Sequence, residues 1–173
     1  MTFANMRFFL IGMPGSGKTF WGKKVADFLN LEFIDLDNEI VKSENKTIQQ
    51  IFQQKGETLF RKIENFTLKN IINRQTDFVL ACGGGTPCFL NNLNMMKNTG
   101  KVFYLHTSIK YIAKNILDDH SNKRPLLKFT TEKELIENLT LILNERIDFY
   151  KQADIIIDIE KWNETQIFNT FVF

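Results

Sequence analysis

Cysteine, histidine and proline are scarce in this 173-residue chain, with two, two and three copies respectively. Cys82 and Cys88 form no C-x-x-C pair and have no histidine cluster beside them, which argues against a structural zinc site and a disulfide-stapled secreted domain. A reduced, cytoplasmic setting is expected. An excess of one charge sign is missing as well: 22 Lys and Arg face 20 Asp and Glu, leaving a net charge of +2. That is too small a bias for a polyanion-binding face, so no nucleic-acid partner is expected and any basic residue that matters acts locally. Long apolar runs are also lacking. Residues 1–11 are apolar, but a glycine loop interrupts them before a signal peptide or membrane span could form. Repeats, low-complexity segments and Gly/Ser/Pro linkers are absent, and 43% of the residues are hydrophobic. One domain over 1–173 with one site, acting as a monomer on small molecules, is the expectation.

What is present is a regular alternation. Apolar runs at 7–11, 32–36, 78–81, 102–106 and 155–159 have the length and abrupt polar ends of strands buried on both faces. Helical periodicity fills the intervals at 18–29, around Ile40, at 48–52, 57–72, 109–117 and 132–150. Strands alternating with helices predict an α/β fold, a three-layer sandwich with a five-stranded parallel sheet, helices on both faces and right-handed crossovers. After Trp162 no period is clear, although Trp162 and Phe171-Val172-Phe173 are apolar enough to dock on the body.

Gly12-Met13-Pro14-Gly15-Ser16-Gly17-Lys18-Thr19 matches G-x-x-x-x-G-K-[ST] in full, after a predicted strand and at the start of a predicted helix. In such a loop the glycines let backbone N–H groups turn toward phosphate oxygens, and the helix N-terminus adds partial positive charge at the same spot. Lys18 would reach the β- and γ-phosphates of a nucleotide. Thr19 would offer its hydroxyl to Mg²⁺.

Two more polar clusters close predicted strands. In Asp35-Leu36-Asp37 the alternation of an extended chain would turn both carboxylates to one side, one for metal and one for substrate. A helix N-cap at Asp37 reads the same residues equally well. Gly83-Gly84-Gly85 suits either a close approach of backbone to a ligand or a flexible turn. Because ligands of open parallel sheets bind beyond the carboxyl ends of the strands, all three loops should face one crevice.

Three arginines stand out. Arg61 falls four residues after Glu57 and three before Glu64, so a helical face can hold its guanidinium between two carboxylates. Such a fixed fork suits a carboxylate ligand, while an exposed ion-pair cluster would look the same in sequence. Arg146 sits on the inward stripe Leu135, Leu139, Ile142, Tyr150, either facing a ligand or paired with a buried carboxylate. Arg124, in the aperiodic stretch 118–130, belongs to a candidate lid that would bring charge to a transferring phosphoryl group. Phe52 and Phe60 would line a pocket near the acid-arginine helix. His106 is expected to pack at a strand end, His120 to lie on the surface, and Cys82 to pack in a strand end.

In order and spacing these motifs together resemble the shikimate kinase family, within the nucleoside monophosphate kinase-like P-loop folds, over residues 8–158. The resemblance implies transfer of the ATP γ-phosphoryl group to the 3-hydroxyl of shikimate, on the route to chorismate and aromatic amino acids, with Mg²⁺. It implies that Lys18 and Thr19 hold nucleotide and metal, that Asp35 meets Mg²⁺ through water, and that Asp37 orients or deprotonates the hydroxyl. Arg61 and Arg146 would bind the shikimate carboxylate, Glu64 would position Arg61, Gly83, Gly84 and Gly85 would line the substrate side, and Arg124 would close onto phosphate. Residues 38–73 would form the substrate-binding helical segment. Two departures stand out. Asn115 and Ile116 occupy the place where many members carry an arginine against the adenine, and the last helix is short or altered. Rival readings are a gluconate-type or nucleotide kinase and a nucleotide-binding pseudo-enzyme. The paired acids, triple glycine and two arginines weigh against the first, and the intact Lys18, Thr19, Asp35 and Asp37 against the second.

Overall fold

The computed structural model describes residues 6–74, 76–118 and 129–172. In chain order the elements are β1 (Arg7–Ile11), α1 (Lys18–Leu29), β2 (Glu32–Asp35), α2 (Leu36–Glu44), α3 (Ile48–Ile72), β3 (Phe78–Ala81), α4 (Asn92–Thr99), β4 (Lys101–His106), α5 (Ile109–Asp118), α6 (Glu132–Tyr150), β5 (Ile155–Asp158) and α7 (Glu164–Asn169). A 3₁₀ turn over Thr86–Cys88 precedes α4.

The five strands form one parallel sheet in the order β2-β3-β1-β4-β5. Side chains alternate across it as strand geometry requires. Phe9, Ile11 and Leu80 pack on one face with Ile40, Leu68, Ile71, Leu135 and Leu139 from α2, α3 and α6. Phe8, Leu10 and Val79 pack on the other with Val25 and Ala26 of α1 and Ile167 of α7. The three-layer expectation holds. At about 1.5–3 kcal/mol per fully buried large apolar side chain, these two cores fix the positions of the strand ends.

Those strand ends build the site. Asp35 and Leu10 both pair with Ala81 in the register, so the last residues of β2 and β3 lie in one row with the last but one of β1. The loops that follow all leave the same edge of the sheet.

Several boundaries differ from expectation for local reasons. β2 stops at Asp35 rather than Leu36, because Asp35 itself caps α2, its side chain accepting from the Asn38 N–H at 3.2 Å. The two stretches expected at 48–52 and 57–72 run on as α3, broken at Gly56 by a non-helical φ of 73° and ψ of 171°. α4 was not foreseen: its eight residues, NLNMMKNT, are too few and too polar to show a stripe. The tail docks as expected, with Phe171 stacked on Phe103 at 4.0 Å between ring centroids and edge-on to Phe8 at 5.5 Å. His106 stands exposed at the end of β4, its ring edge-on to Tyr104 at 5.7 Å.

Candidate active site

The phosphate loop joins β1 to α1. Gly15 (φ 87°) and Gly17 (φ 86°) adopt left-handed backbone that a side chain would strain. Lys18, 9% exposed, folds across the loop, its Nζ donating to the carbonyls of Gly12 (2.9 Å) and Met13 (2.8 Å). The Ser16 side chain is turned inward, where its Oγ is buried with no hydrogen-bond partner among the described residues, and its N–H is used within the loop, donating to Met13 O at 3.1 Å. Met13 also points into the core, and Pro14 points out toward β3's loop.

The Thr19 hydroxyl donates to Asp35 Oδ2 at 2.9 Å. Two hard oxygen donors therefore meet at the mouth of the phosphate loop. Among the described residues no group of three or more His, Cys, Asp or Glu is arranged to cage a metal by protein alone. This donor set suits a divalent ion that keeps most of its shell from water and phosphate oxygens.

Asp37 lies in the first turn of α2, two residues past the cap. The expectation that strand alternation aligns Asp35 with Asp37 is therefore corrected: a helical turn brings them together, and the N-cap is Asp35. Desolvation raises the Asp37 pKa from the ordinary 3.8 to about 6; the charges of Asp35 and Glu64 reinforce this, and those of Lys18 and Arg61 oppose it. Lys18 of the phosphate loop and Asp35 at the end of β2 act on this carboxyl, and the glycine turn after β3 lies against it, so the three loops do share a crevice.

The glycine turn after β3 is where they meet. A methyl group at Gly83 would stand 3.1 Å from Glu64 Oε1 and 3.2 Å from Asp37 Oδ1. One at Gly84 would be 2.8 Å from Pro14 Cδ and 3.1 Å from Arg146 Nη1, and one at Gly85 would be 2.5 Å from Arg61 Nη2. Close approach rather than flexibility explains three glycines in a row. The Pro14 contact sets the phosphate loop directly against this turn. Tyr150, fully buried, fastens the turn by donating to Gly84 O at 2.6 Å.

Arg61 is 5% exposed and Glu64 1% exposed, which removes the surface ion-pair reading. Arg61 Nη1 donates to Glu64 Oε2 at 3.0 Å, while Glu64 Oε1 accepts from Thr86 Oγ1 at 2.7 Å. The other edge of the guanidinium, Nε and Nη2, donates to Glu57 Oε1 at 3.2 and 3.0 Å. Its faces meet Phe60 (5.2 Å to the centroid) and Phe89 (4.3 Å), and Phe52 packs on Phe60 with centroids 4.3 Å apart. Arg146 is half-buried against Tyr150 and forms no ion pair with a carboxylate among the described residues. Arg124, His120 and most of the expected lid lie outside the described residues.

Two residues at the crevice were not singled out for it in the sequence. Phe89, in the turn before α4, stacks on Arg61, and no periodicity marks it. In sequence Asn115 marks only a departure from the family pattern, yet its Nδ2 donates to Gly15 O at 3.0 Å and ties α5 to the phosphate loop. A surface cavity of about 490 Å³ lined by Glu39, Lys62, Phe66 and Arg74 on and beyond α2 and α3 includes none of these groups and is not the site.

The sequence profile of the shikimate kinase family matches residues 14–172. A shikimate kinase of Sulfurihydrogenibium sp. (strain YO3AOP1) is 38% identical over 159 residues, covering 92% of this chain and 91% of that protein. The crystal structure of shikimate kinase from Bacteroides thetaiotaomicron superposes with a TM-score of 0.84 at 34% identity, covering 96% of this chain and 94% of that one. Shikimate kinase from Acinetobacter baumannii in complex with shikimate gives 0.83 at 30% identity, covering 96% and 89%.

Proposed function

The chain belongs to the shikimate kinase family and is an ATP-dependent kinase acting on shikimate, and we propose that it does so in the crevice at the ends of β1, β3 and β2. The observation that carries this reading is the contact of Pro14 with Gly84, which sets the phosphate loop edge to edge with the turn that Arg61, Arg146 and Asp37 surround. Donor and acceptor would then be held within bonding distance, and positioning supplies much of the rate.

In this reading the loop N–H groups of 12–19 and Lys18 bind the triphosphate with its terminal group toward Gly84. Arg61, beside Gly85, and Arg146, beside Gly84, take the acceptor's carboxylate, and Phe52 and Phe60 close that end. Asp37 accepts the hydrogen bond of the 3-hydroxyl and its proton as the oxygen attacks the γ-phosphorus and the bond to ADP breaks, giving shikimate 3-phosphate. With a pKa of about 6, the Asp37 carboxyl is ionised at neutral pH yet basic enough to take that proton. Thr19 and, through water, Asp35 would hold the divalent metal, which we assign as Mg²⁺ and which offsets phosphate charge when bound. Arg124 is assigned the same task from the lid, and Glu64 the task of fixing Arg61.

A cytoplasmic location is proposed because Cys82 and Cys88 are both unpaired. A monomer is proposed from the size of the chain, which fits one compact domain with one site. No described helix is long and apolar enough to cross a membrane. A coupled assay with ATP, Mg²⁺ and a panel of shikimate, gluconate and nucleoside monophosphates tests the reading. ADP release should depend on shikimate alone. Faster turnover of another acceptor would favour a different small-molecule kinase, and no turnover a nucleotide-binding module.

A further inference from the structure

Arg61 is held on one edge by a carboxylate that cannot leave and on the other by one that can. On the Nη1 edge, Glu64 is 1% exposed and its second oxygen is taken by Thr86. On the Nε/Nη2 edge, Glu57 offers a single oxygen at 3.2 and 3.0 Å, and its side chain is 57% exposed. Glu57 follows the helix break at Gly56, a residue around which a methyl group would meet nothing within 4 Å. The guanidinium cannot turn away, because Gly85 closes on Nη2 and the rings of Phe60 and Phe89 cover its faces. The Nε/Nη2 edge is the fork on which a planar carboxylate is gripped by two parallel N–H groups. In this structure Glu57 occupies it.

We propose that Glu57 is an internal competitor for the acceptor's carboxylate, holding the Arg61 fork until the acceptor replaces it. The proposal rests on the assignment of Arg61 to that carboxylate. Sharing is disfavoured because Glu57 Oε1 already accepts from both N–H groups of the edge that the acceptor's carboxylate would grip. Replacement breaks one ion pair whose carboxylate is open to solvent, and pairs screened in that way are typically worth about 1.5- to 5-fold in an equilibrium constant. Acceptor affinity is lowered by that factor.

Calorimetric Kd values for shikimate, with KM at saturating ATP, test this in the intact chain. Glu57→Ala should bind shikimate about 1.5- to 5-fold more tightly. Glu57→Gln, which keeps an oxygen but no charge, should shift the same way by less. The KM of shikimate methyl ester, an acceptor without the anion, should stay unchanged in both variants. Unchanged or weaker binding in Glu57→Ala overturns the proposal and makes Glu57 a support for Arg61, and an equal gain with the ester overturns it as well. Arg61→Lys separates the two levels: weakened shikimate binding upholds the assignment beneath the proposal, and an unchanged Kd removes that assignment and the competition with it.

Discussion

Glu64 divides its carboxylate between Arg61 and Thr86, one oxygen to Nη1 at 3.0 Å and the other to Oγ1 at 2.7 Å. Both members of the ion pair are almost wholly buried. Removing Glu64 leaves the buried guanidinium with one solvent-exposed carboxylate, Glu57, and Thr86 Oγ1 without its acceptor, so Glu64→Ala should lose about 1–3 kcal/mol of unfolding free energy in urea titrations. The acceptor KM should rise more than the nucleotide KM, since Arg61 loses its anchor. A loss below about 1 kcal/mol would mean that Arg61 is held by other means.

Asp37 should weaken the fold where it is ionised. Its folded pKa of about 6 lies above the ordinary 3.8, so the folded state binds the proton more tightly than the unfolded chain does. The resulting penalty is absent below about pH 4, grows as the pH rises, and is complete above about pH 6. Asp37→Asn should therefore be more stable than the parent by about 1–3 kcal/mol at pH 7.5, with the advantage shrinking toward pH 4. Melting curves at the two pH values check this; equal shifts at both would contradict it.

The same ionisation should appear in the rate. With Asp37 as proton acceptor, kcat/KM for shikimate should fall on the acid side with an apparent pKa near 6, the value for the free enzyme. A pH–rate profile from 5 to 8.5 measures it. A profile that stays flat down to pH 5 would count against the assignment.

Gly85 has ordinary right-handed backbone, φ −90° and ψ −12°, so alanine there meets no backbone penalty. Its cost is the clash at 2.5 Å with Arg61 Nη2. Gly85→Ala should retain its far-ultraviolet circular dichroism and ATP affinity while the acceptor KM rises by about tenfold or more, consistent with displacement of a bidentate fork. An unchanged acceptor KM would show that Arg61 can shift without consequence.

How legible this was follows from the physics of each part. The phosphate loop, α1 and α6 could be read from sequence because a motif or a long stripe specifies them locally. The row of strand ends followed from parallel alternation. The Asp35–Asp37 pair was right in membership and wrong in geometry, because one cap hydrogen bond decides whether that dipeptide step is strand or helix. Phe89 and the Asn115 link were hidden, since stacking on Arg61 and reaching Gly15 depend on tertiary approach across 28 and 100 positions of sequence. The occupation of Arg61's fork was half visible. The spacing placed Glu57 and Glu64 beside it, but the burial that makes one permanent and the other removable needs the packed turn at Gly85.

The most direct test of the account is single-turnover phosphoryl transfer by Asp37→Asn, with calorimetry of both substrates on the same protein. Nucleotide and shikimate should bind within a few-fold of the parent while transfer to the 3-hydroxyl slows by about 10²-fold or more. Transfer at near-parent rates in that variant would contradict the account.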